Sequence, residues 1–218
     1  MTIKMKHIFS LLVVFLYITH TEVTAQPKKI MFHRLTEKKG LTYAPNQKKP
    51  FTGTVFANYK NRGRKLRGSY KNGLRHGLWT HWNDEGKKER EESYKLGKKD
   101  GNWTYFDENG IRERTETFLK GKPSGKLTYF YSNGKREKEE FYLKGSREGK
   151  WTDWYENGKK EKEEFYSKDK KNGKWTYYNE KGRRESIVSY KNDLRDGRST
   201  YWYGSGNRKE REENWRQD

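Results

Sequence analysis

Glycine recurs every 24 residues along most of this chain, at Gly53, Gly77, Gly101, Gly125, Gly149, Gly173 and Gly197. A fixed period of this length marks a repeat architecture, in which each copy is one supersecondary unit that buries its apolar side chains only by stacking on its neighbours. Seven copies fill residues 53 to 218, and residues 149 to 172, GKWTDWYENGKKEKEEFYSKDKKN, are the representative unit. The first copy is degenerate: its turn glycine, Gly63, falls one residue late, and Val55 stands where later copies have Trp.

Composition alone would point the other way. The chain is 29% hydrophobic and 37% charged, values typical of disorder. The aromatic content of 16%, with all eight Trp inside the repeats, supplies the buried area that a polar chain otherwise lacks. One fully buried large side chain contributes roughly 1.5–3 kcal/mol, while ordering each residue costs about 1 kcal/mol or more. A single repeat therefore does not fold alone, and backbone ladders and stacking must add the rest. The formal charge of +20 attracts anionic partners and opposes self-association without selecting an anion. With no cysteine, neither disulfides nor thiolate metal sites are available.

Residues 1–25 read as a signal peptide: Lys4 and Lys6 precede an apolar run from Ile8 to Ile18, and Val23-Thr24-Ala25 sets up cleavage before Gln26. The run is short for a bilayer span, so the mature chain is expected to be exported to the periplasm, cell surface or medium, with no transmembrane span after cleavage. Residues 26–52 are a basic lead-in expected to cap the open edge of the first hairpin, and residues 53–218 form the repeat domain.

Each copy has two halves. A Gly-x-Trp-Thr-aromatic run of high β propensity leads to Asn109-Gly110, Asn133-Gly134 or Asn157-Gly158, with Gly86 in the same place in its own copy; the dipeptide favours a two-residue type I′ turn. A charged run then returns to an aromatic residue such as Tyr94 or Tyr166, and eight residues between two turn signals suit a strand better than a helix. The expected fold is all-β: one elongated antiparallel sheet of consecutive hairpins. If the pairing about Asn157-Gly158 has no bulge, one face carries Trp151, Tyr155, Lys160, Lys162 and Tyr166, and the other Thr152, Trp154, Glu161 and Glu163. A basic row, Lys88, Arg112, Arg136, Lys160, Arg184 and Arg208, would then share the Trp face, and the charges would be sorted by face. A tyrosine is expected to fill the space beside each opening glycine.

The pattern in Gly101 to Gly125 and Gly149 to Gly173, together with Lys39-Gly40-Leu41-Thr42-Tyr43 and Pro50-Phe51-Thr52-Gly53, resembles the bacterial variant of the MORN repeat. The resemblance spans about residues 39 to 218. It implies consecutive hairpins in one sheet and no shared catalytic residues. Members are often catalogued as antitoxins or immunity proteins, and eukaryotic MORN proteins are linked to membranes and scaffolding.

No reactive cluster stands out. His33, His76 and His81 lie in different contexts without metal-ligand spacing, and Gly204-Ser205-Gly206 falls at a recurrent turn rather than in a phosphate loop. The chain is therefore expected to be no enzyme and to need no cofactor or metal. Gly77, Trp79, Gly86, Tyr94, Gly101, Trp103, Gly110, Gly149, Trp151, Gly158, Tyr166, Gly173 and Trp175 read as structural repeat residues. The candidate binding surface is Tyr105, Tyr129, Tyr131, Tyr155 and Tyr177 with Lys88, Arg112, Arg136, Lys160 and Arg184. These rings and cations either grip an anion or a sugar or hold the sheet together as cross-strand pairs. The expected function is an exported interaction scaffold for a protein partner, a toxin included, or an anionic envelope component; a carbohydrate-binding module is the alternative. No specific nucleic-acid role is expected, because export removes the chain from it.

Overall fold

The computed structural model describes residues 28–204 and 208–216. The expected signal peptide lies outside the described residues, as do Ser205 and Gly206 of the last turn. Seven hairpins follow one another: Gly53–Asn58 with Arg64–Lys71, Gly77–Trp82 with Lys88–Lys95, Lys98–Phe106 with Arg112–Leu119, Lys122–Phe130 with Arg136–Leu143, Gly149–Trp154 with Lys160–Ser167, Gly173–Tyr178 with Arg184–Lys191, and Gly197–Trp202 with Lys209–Trp215. Each return strand also pairs with the outgoing strand of the next hairpin, so the chain meanders through one large, mostly antiparallel sheet. The exception is Lys28–Met31, which adds to Gly53–Asn58 in parallel. Thr36–Lys38 and Leu41–Tyr43 form a separate two-stranded sheet.

The lead-in also covers part of one face. Phe51 and Ala44 are buried with Val55, Leu66, Tyr70 and Trp79, and Ile30 and Leu35 pack against them. Phe32 meets Trp79 edge-on at 6.2 Å.

The two ends of the hairpins have the reverse of the expected turn chemistry. At Asn157-Gly158 the Gly158 amide donates to the Tyr155 carbonyl at 2.8 Å and the Tyr155 amide to the Lys159 carbonyl at 2.9 Å. Only Gly158 has positive φ, +88°. This is a three-residue loop, a type I turn followed by a left-handed glycine, and not a two-residue type I′ turn. The type I′ signature, positive φ at two successive residues, occurs at the other end: Leu96-Gly97, Lys120-Gly121, Lys144-Gly145, Lys168-Asp169 and Asn192-Asp193.

The turns at both ends of the strands form linked columns. On the type I′ side the amides of Gly97, Gly121 and Gly145 donate to the carbonyls of Arg75, Lys99 and Pro123 at 2.8, 2.8 and 2.7 Å. On the other side Asn61, Asn133 and Asn157 donate side-chain N–H to the carbonyls of Asp84, Glu156 and Glu180 at 3.2, 3.4 and 3.0 Å. The lysine after the glycine does the same: Lys135 Nζ reaches the Asn157 carbonyl at 3.3 Å and Lys159 Nζ that of Lys181 at 3.2 Å. The Asn-Gly-Lys triplet thus caps the next turn as well as making its own.

A bulge corrects the face assignment. Asp153 faces Lys162, but Trp154 faces Lys160, so Glu161 is an extra residue in the return strand. The same shift occurs at Trp82/Lys88, Phe106/Arg112, Phe130/Arg136 and Tyr178/Arg184. Inserting one residue moves everything beyond it to the opposite face. Lys160 therefore lies with Thr152, Trp154 and Glu163, away from the Trp151 face. Tyr155 leaves the ladder for the turn. In the last hairpin Trp202 faces Lys209, while Arg208 lies over Tyr203 at 4.5 Å.

Non-glycine residues in the left-handed region cost about 1 kcal/mol or more, and Lys144 (φ +53°) is exposed. Lys144→Asn, which creates the Asn-Gly pair a type I′ turn prefers, is expected to stabilise the protein by about 0.5–1 kcal/mol, read as a higher urea midpoint.

Candidate interaction surface

The core face is built around the indole N–H of the repeat Trp. Trp79, Trp103, Trp151 and Trp175 donate Nε1–H to the carbonyls of Ser69, Ser93, Phe141 and Phe165, each ten residues earlier, at 3.1, 2.9, 3.1 and 3.0 Å. The Phe141 and Phe165 carbonyls also accept the amides of Glu148 and Asn172, at 3.0 and 2.9 Å. This doubly occupied carbonyl marks the irregular step between hairpins, where Gly149 and Gly173 take φ of +68° and +108°, a region that suits glycine. A Cβ at Gly149 would lie 3.8 Å from Phe141, and one at Gly173 3.2 Å from Phe165, with no tyrosine within 4 Å. The glycine therefore answers a backbone requirement; no tyrosine fills its gap.

Trp and Tyr rings then alternate along the sheet. Centroids are 5.3 Å apart for Tyr142–Trp151, 4.9 Å for Trp151–Tyr166, 5.3 Å for Tyr166–Trp175 and 5.1 Å for Trp175–Tyr190. A second run links Tyr70, Trp79, Tyr94, Trp103 and Phe118. Cations lie on the rings: Arg75 at 4.5 Å from Trp79, Lys99 at 3.9 Å from Trp103, Arg147 at 4.4 Å from Tyr166 and Lys171 at 4.3 Å from Trp175. Sequence reasoning missed this row, although its members also recur 24 apart. In the middle of the sheet Pro123 replaces the cation and Leu127 the Trp, in the same hairpin.

Buried carboxylates tie the ladder to a second cation row. Glu92, Glu140 and Glu164 are buried and accept from Tyr94, Tyr142 and Tyr166 at 3.2, 2.9 and 3.2 Å. Arg90 pairs with Glu92 at 2.9 Å, Lys138 with Glu140, and Lys162 with Glu164 at 3.1 Å. Burial and the adjacent Glu164 push the Tyr166 hydroxyl up to about 12. Burial alone would raise Glu92, but the neighbouring His81 and the Arg90 charge hold it below its ordinary value. His81 is a link in this network, with Nε2 3.4 Å from Glu92 and Nδ1 3.3 Å from Arg90.

The candidate binding residues do not share one face. Tyr105, Tyr129 and Tyr177 are half-buried on the core face, and Arg114 lies 4.3 Å from the Tyr105 ring and 5.9 Å from that of Tyr129. Tyr177 packs against the Trp151–Tyr166–Trp175 cluster. Tyr131 and Tyr155 are staples between repeats, donating to the carbonyls of Trp154 and Tyr178 at 2.6 and 2.7 Å. Lys88, Arg112, Arg136, Lys160 and Arg184 lie on the opposite face. There Lys88 sits over Phe106 at 6.0 Å, Arg112 over Phe130 at 5.5 Å and Arg136 over Trp154 at 4.8 Å, each ring belonging to the following hairpin.

Charge is not sorted by face either. On the second face Lys88 pairs with Glu91, Arg136 with Glu139 at 3.5 Å, Lys160 with Glu163 at 2.7 Å and Lys209 with Glu212 at 2.7 Å. Burial alone would raise Glu163, but hydrogen bonds from Lys160, Lys150 and Tyr178 hold it below its ordinary value.

Two outcomes follow from this wiring. Trp151→Phe keeps a ring but loses the N–H, and is expected to cost about 1–2 kcal/mol in urea unfolding; Trp151→Leu, the residue type found at position 127, is expected to cost about 3 kcal/mol. Glu92 and Glu163 have folded values depressed below the ordinary 4.5, so their contribution is present above that value and is lost as pH falls through it to the depressed folded values. The urea midpoint should hold from about pH 7 to about pH 5 and drop below that, and Glu92→Gln should blunt the drop while lowering the midpoint at neutral pH.

Five segments of the chain, residues 75–96, 99–120, 123–144, 147–168 and 171–192, match the model of the MORN repeat variant. Each is 22 residues long, shorter than the 24-residue copy read from the glycines. Their starts remain 24 apart, and the residues between them are the second residue of each type I′ turn and the one after it. No curated protein matches the chain. MORN repeats are interaction repeats, for proteins or membranes. With just over half of its residues inside matched segments, the chain belongs to the MORN repeat variant family.

Proposed function

We propose that this chain is a non-enzymatic, exported interaction scaffold that presents the face opposite the Trp–Tyr ladder to a protein partner or to an anionic component of the cell envelope. The observation that carries the reading is the in-register column of cations over rings, Lys88 on Phe106, Arg112 on Phe130 and Arg136 on Trp154. The core face is occupied by its own rings, cations and carboxylates and, at one end, by the lead-in. The second face has half-buried rings and exposed cationic heads repeated at the spacing of the hairpins, which suits a repeating or extended partner. Cation and ring together grip an anion beside an apolar or sugar surface. That pairing favours an anionic wall carbohydrate among envelope components; a toxin would be the narrower reading for a protein partner.

Export is part of the proposal and rests on the amino-terminal sequence. Amino-terminal sequencing of the protein recovered outside the cytoplasm is expected to begin at Gln26. The binding face is tested with Arg112→Gln/Arg136→Gln/Lys160→Gln, whose fold is checked by circular dichroism. The unaltered protein should sediment with envelope fragments at about 50 mM salt and release at about 500 mM, and the triple variant should bind roughly tenfold more weakly. Equal binding by the two proteins, or none by either, overturns the assignment of this face.

A further inference from the structure

On the second face, four hairpins neutralise their turn-side cation with a glutamate three residues on, Lys88–Glu91, Arg136–Glu139, Lys160–Glu163 and Lys209–Glu212, while the hairpins of Arg112 and Arg184 have Thr115 and Ile187 there. The first hairpin reverses this. Arg64 occupies the cation position, facing Asn58, and the glutamate position is taken by Arg67, facing Phe56. Arg67 also faces Thr80 of the second hairpin, and Thr80 is the residue that Glu91 faces. The register therefore places Arg67 one hairpin before Glu91, with the opposite charge.

Glu91 lines an adjoining hollow with Arg64 and Arg67, but its carboxylate is paired with Lys88. Among the described residues, Arg62, Arg64 and Arg67 have no ion pair, side-chain hydrogen bond or ring contact. Among the described residues Arg64, like Lys160 and Arg184, lies over no ring of the following hairpin, whereas Lys88, Arg112 and Arg136 do. The three arginines share a groove of about 370 Å³ with Lys29, Phe56 and Trp82, and no carboxylate lines it. Lys29 is added by the parallel strand of the lead-in and sits 4.9 Å from the Phe56 ring. Like charges gathered at one place with no ion pair among the described residues repel one another, so this end of the sheet suits an anion supplied from outside.

The groove wall also specifies more than charge. Guanidinium groups fork onto phosphate through paired N–H donors. Trp82 is half-buried and offers a ring face free of any cation. The hydroxyl of Thr54 and the amide of Asn58 also line the groove and can meet hydroxyl groups. The volume falls within the range for small-ligand sites of roughly 300–1,000 Å³.

We infer that this groove is a binding site for a sugar phosphate unit, with the phosphate held by Arg64 and Arg67 and the sugar ring laid on Trp82. The inference deepens the envelope-binding reading and rests on it for the source of the ligand, a phosphate-bearing wall polysaccharide; a free sugar phosphate carries the same chemistry.

Isothermal titration of the purified protein uses glucose 6-phosphate, inorganic phosphate and adenosine monophosphate at matched salt. Glucose 6-phosphate is expected to bind roughly tenfold more tightly than inorganic phosphate. Arg67→Glu rebuilds the pairing that four other hairpins already use, so it should fold, and it should weaken binding roughly tenfold. Lys174→Glu makes the same charge change at an exposed position in a distant hairpin and should change binding by less than about twofold. Trp82→Leu should reduce glucose 6-phosphate to the affinity of inorganic phosphate. A phosphosugar polymer that competes at a lower concentration of repeat units than the monomer identifies the polymer as the source; competition by the monomer alone identifies the free compound. Equal losses for Arg67→Glu and Lys174→Glu would reduce the site to general charge and overturn it, as would inorganic phosphate matching glucose 6-phosphate. Tighter binding of adenosine monophosphate would replace the sugar by a nucleotide. The triple variant of the preceding section leaves the groove intact, so loss of envelope binding there with glucose 6-phosphate binding retained, or the reverse, separates the two proposals.

Discussion

A sheet this polar holds together because one carbonyl is used twice at several of the steps between hairpins, at Ser69, Phe141 and Phe165. At Phe141 and Phe165 the backbone oxygen receives an amide from the next outgoing strand and the indole N–H of the Trp three residues further on. Stepping from one hairpin to the next breaks the regular ladder, and an exposed break would leave polar backbone without a partner, a cost on the order of 1–3 kcal/mol when buried. The indole closes the break and brings a large apolar ring into the same place. That one side chain joins hydrogen bonding and packing explains why the ladder is built on Trp and Tyr and not on aliphatic residues, whose burial could not complete the backbone.

The two columns of turns solve the same problem at the ends of the hairpins. Turns are normally the least constrained part of a β protein. Here each is a donor or acceptor for the adjacent turn, through backbone amides on the type I′ side and through Asn, Lys and Tyr side chains on the other. The stabilising contacts therefore run along the sheet as well as within each hairpin. That makes a 24-residue unit, too polar to fold by itself, a competent part of a row. The buried Glu92, Glu140 and Glu164 fit the same logic: each is flanked by a cation and a tyrosine hydroxyl, so burial does not strand the charge.

Departures from the pattern have separate physical reasons. Val55 fits beneath the lead-in, which fills the space that a Trp ring occupies elsewhere, and so the first copy is degenerate for a packing reason. Ser199 is completely buried in the Trp position of the last hairpin. Leu127 and Pro123 interrupt the ladder and its cation row together, which is consistent with the two rows acting as one unit. Arg67 is different in kind, because it puts a positive charge where four other hairpins have a glutamate and makes no ion pair among the described residues.

Much of the architecture was legible in the residues. The period, the strand character of both runs and the turn positions follow from spacing, propensity and the short distance between turns. The face of Lys88, Arg112, Arg136, Lys160 and Arg184 did not, because a bulge at Glu161 and its counterparts carries no residue signature of its own, yet one added residue inverts the side of the sheet on which every later side chain emerges. The tasks of Tyr131 and Tyr155, the doubly used carbonyls and the Arg62–Arg64–Arg67 groove were equally beyond reach, since each joins groups from different hairpins or from the lead-in. The sequence by itself determined that hairpins form and that they must stack, since both depend on neighbours a few residues apart. Which charges meet which rings was decided by the tertiary structure, because register, bulges and the parallel lead-in strand set distances between residues that the linear order leaves open.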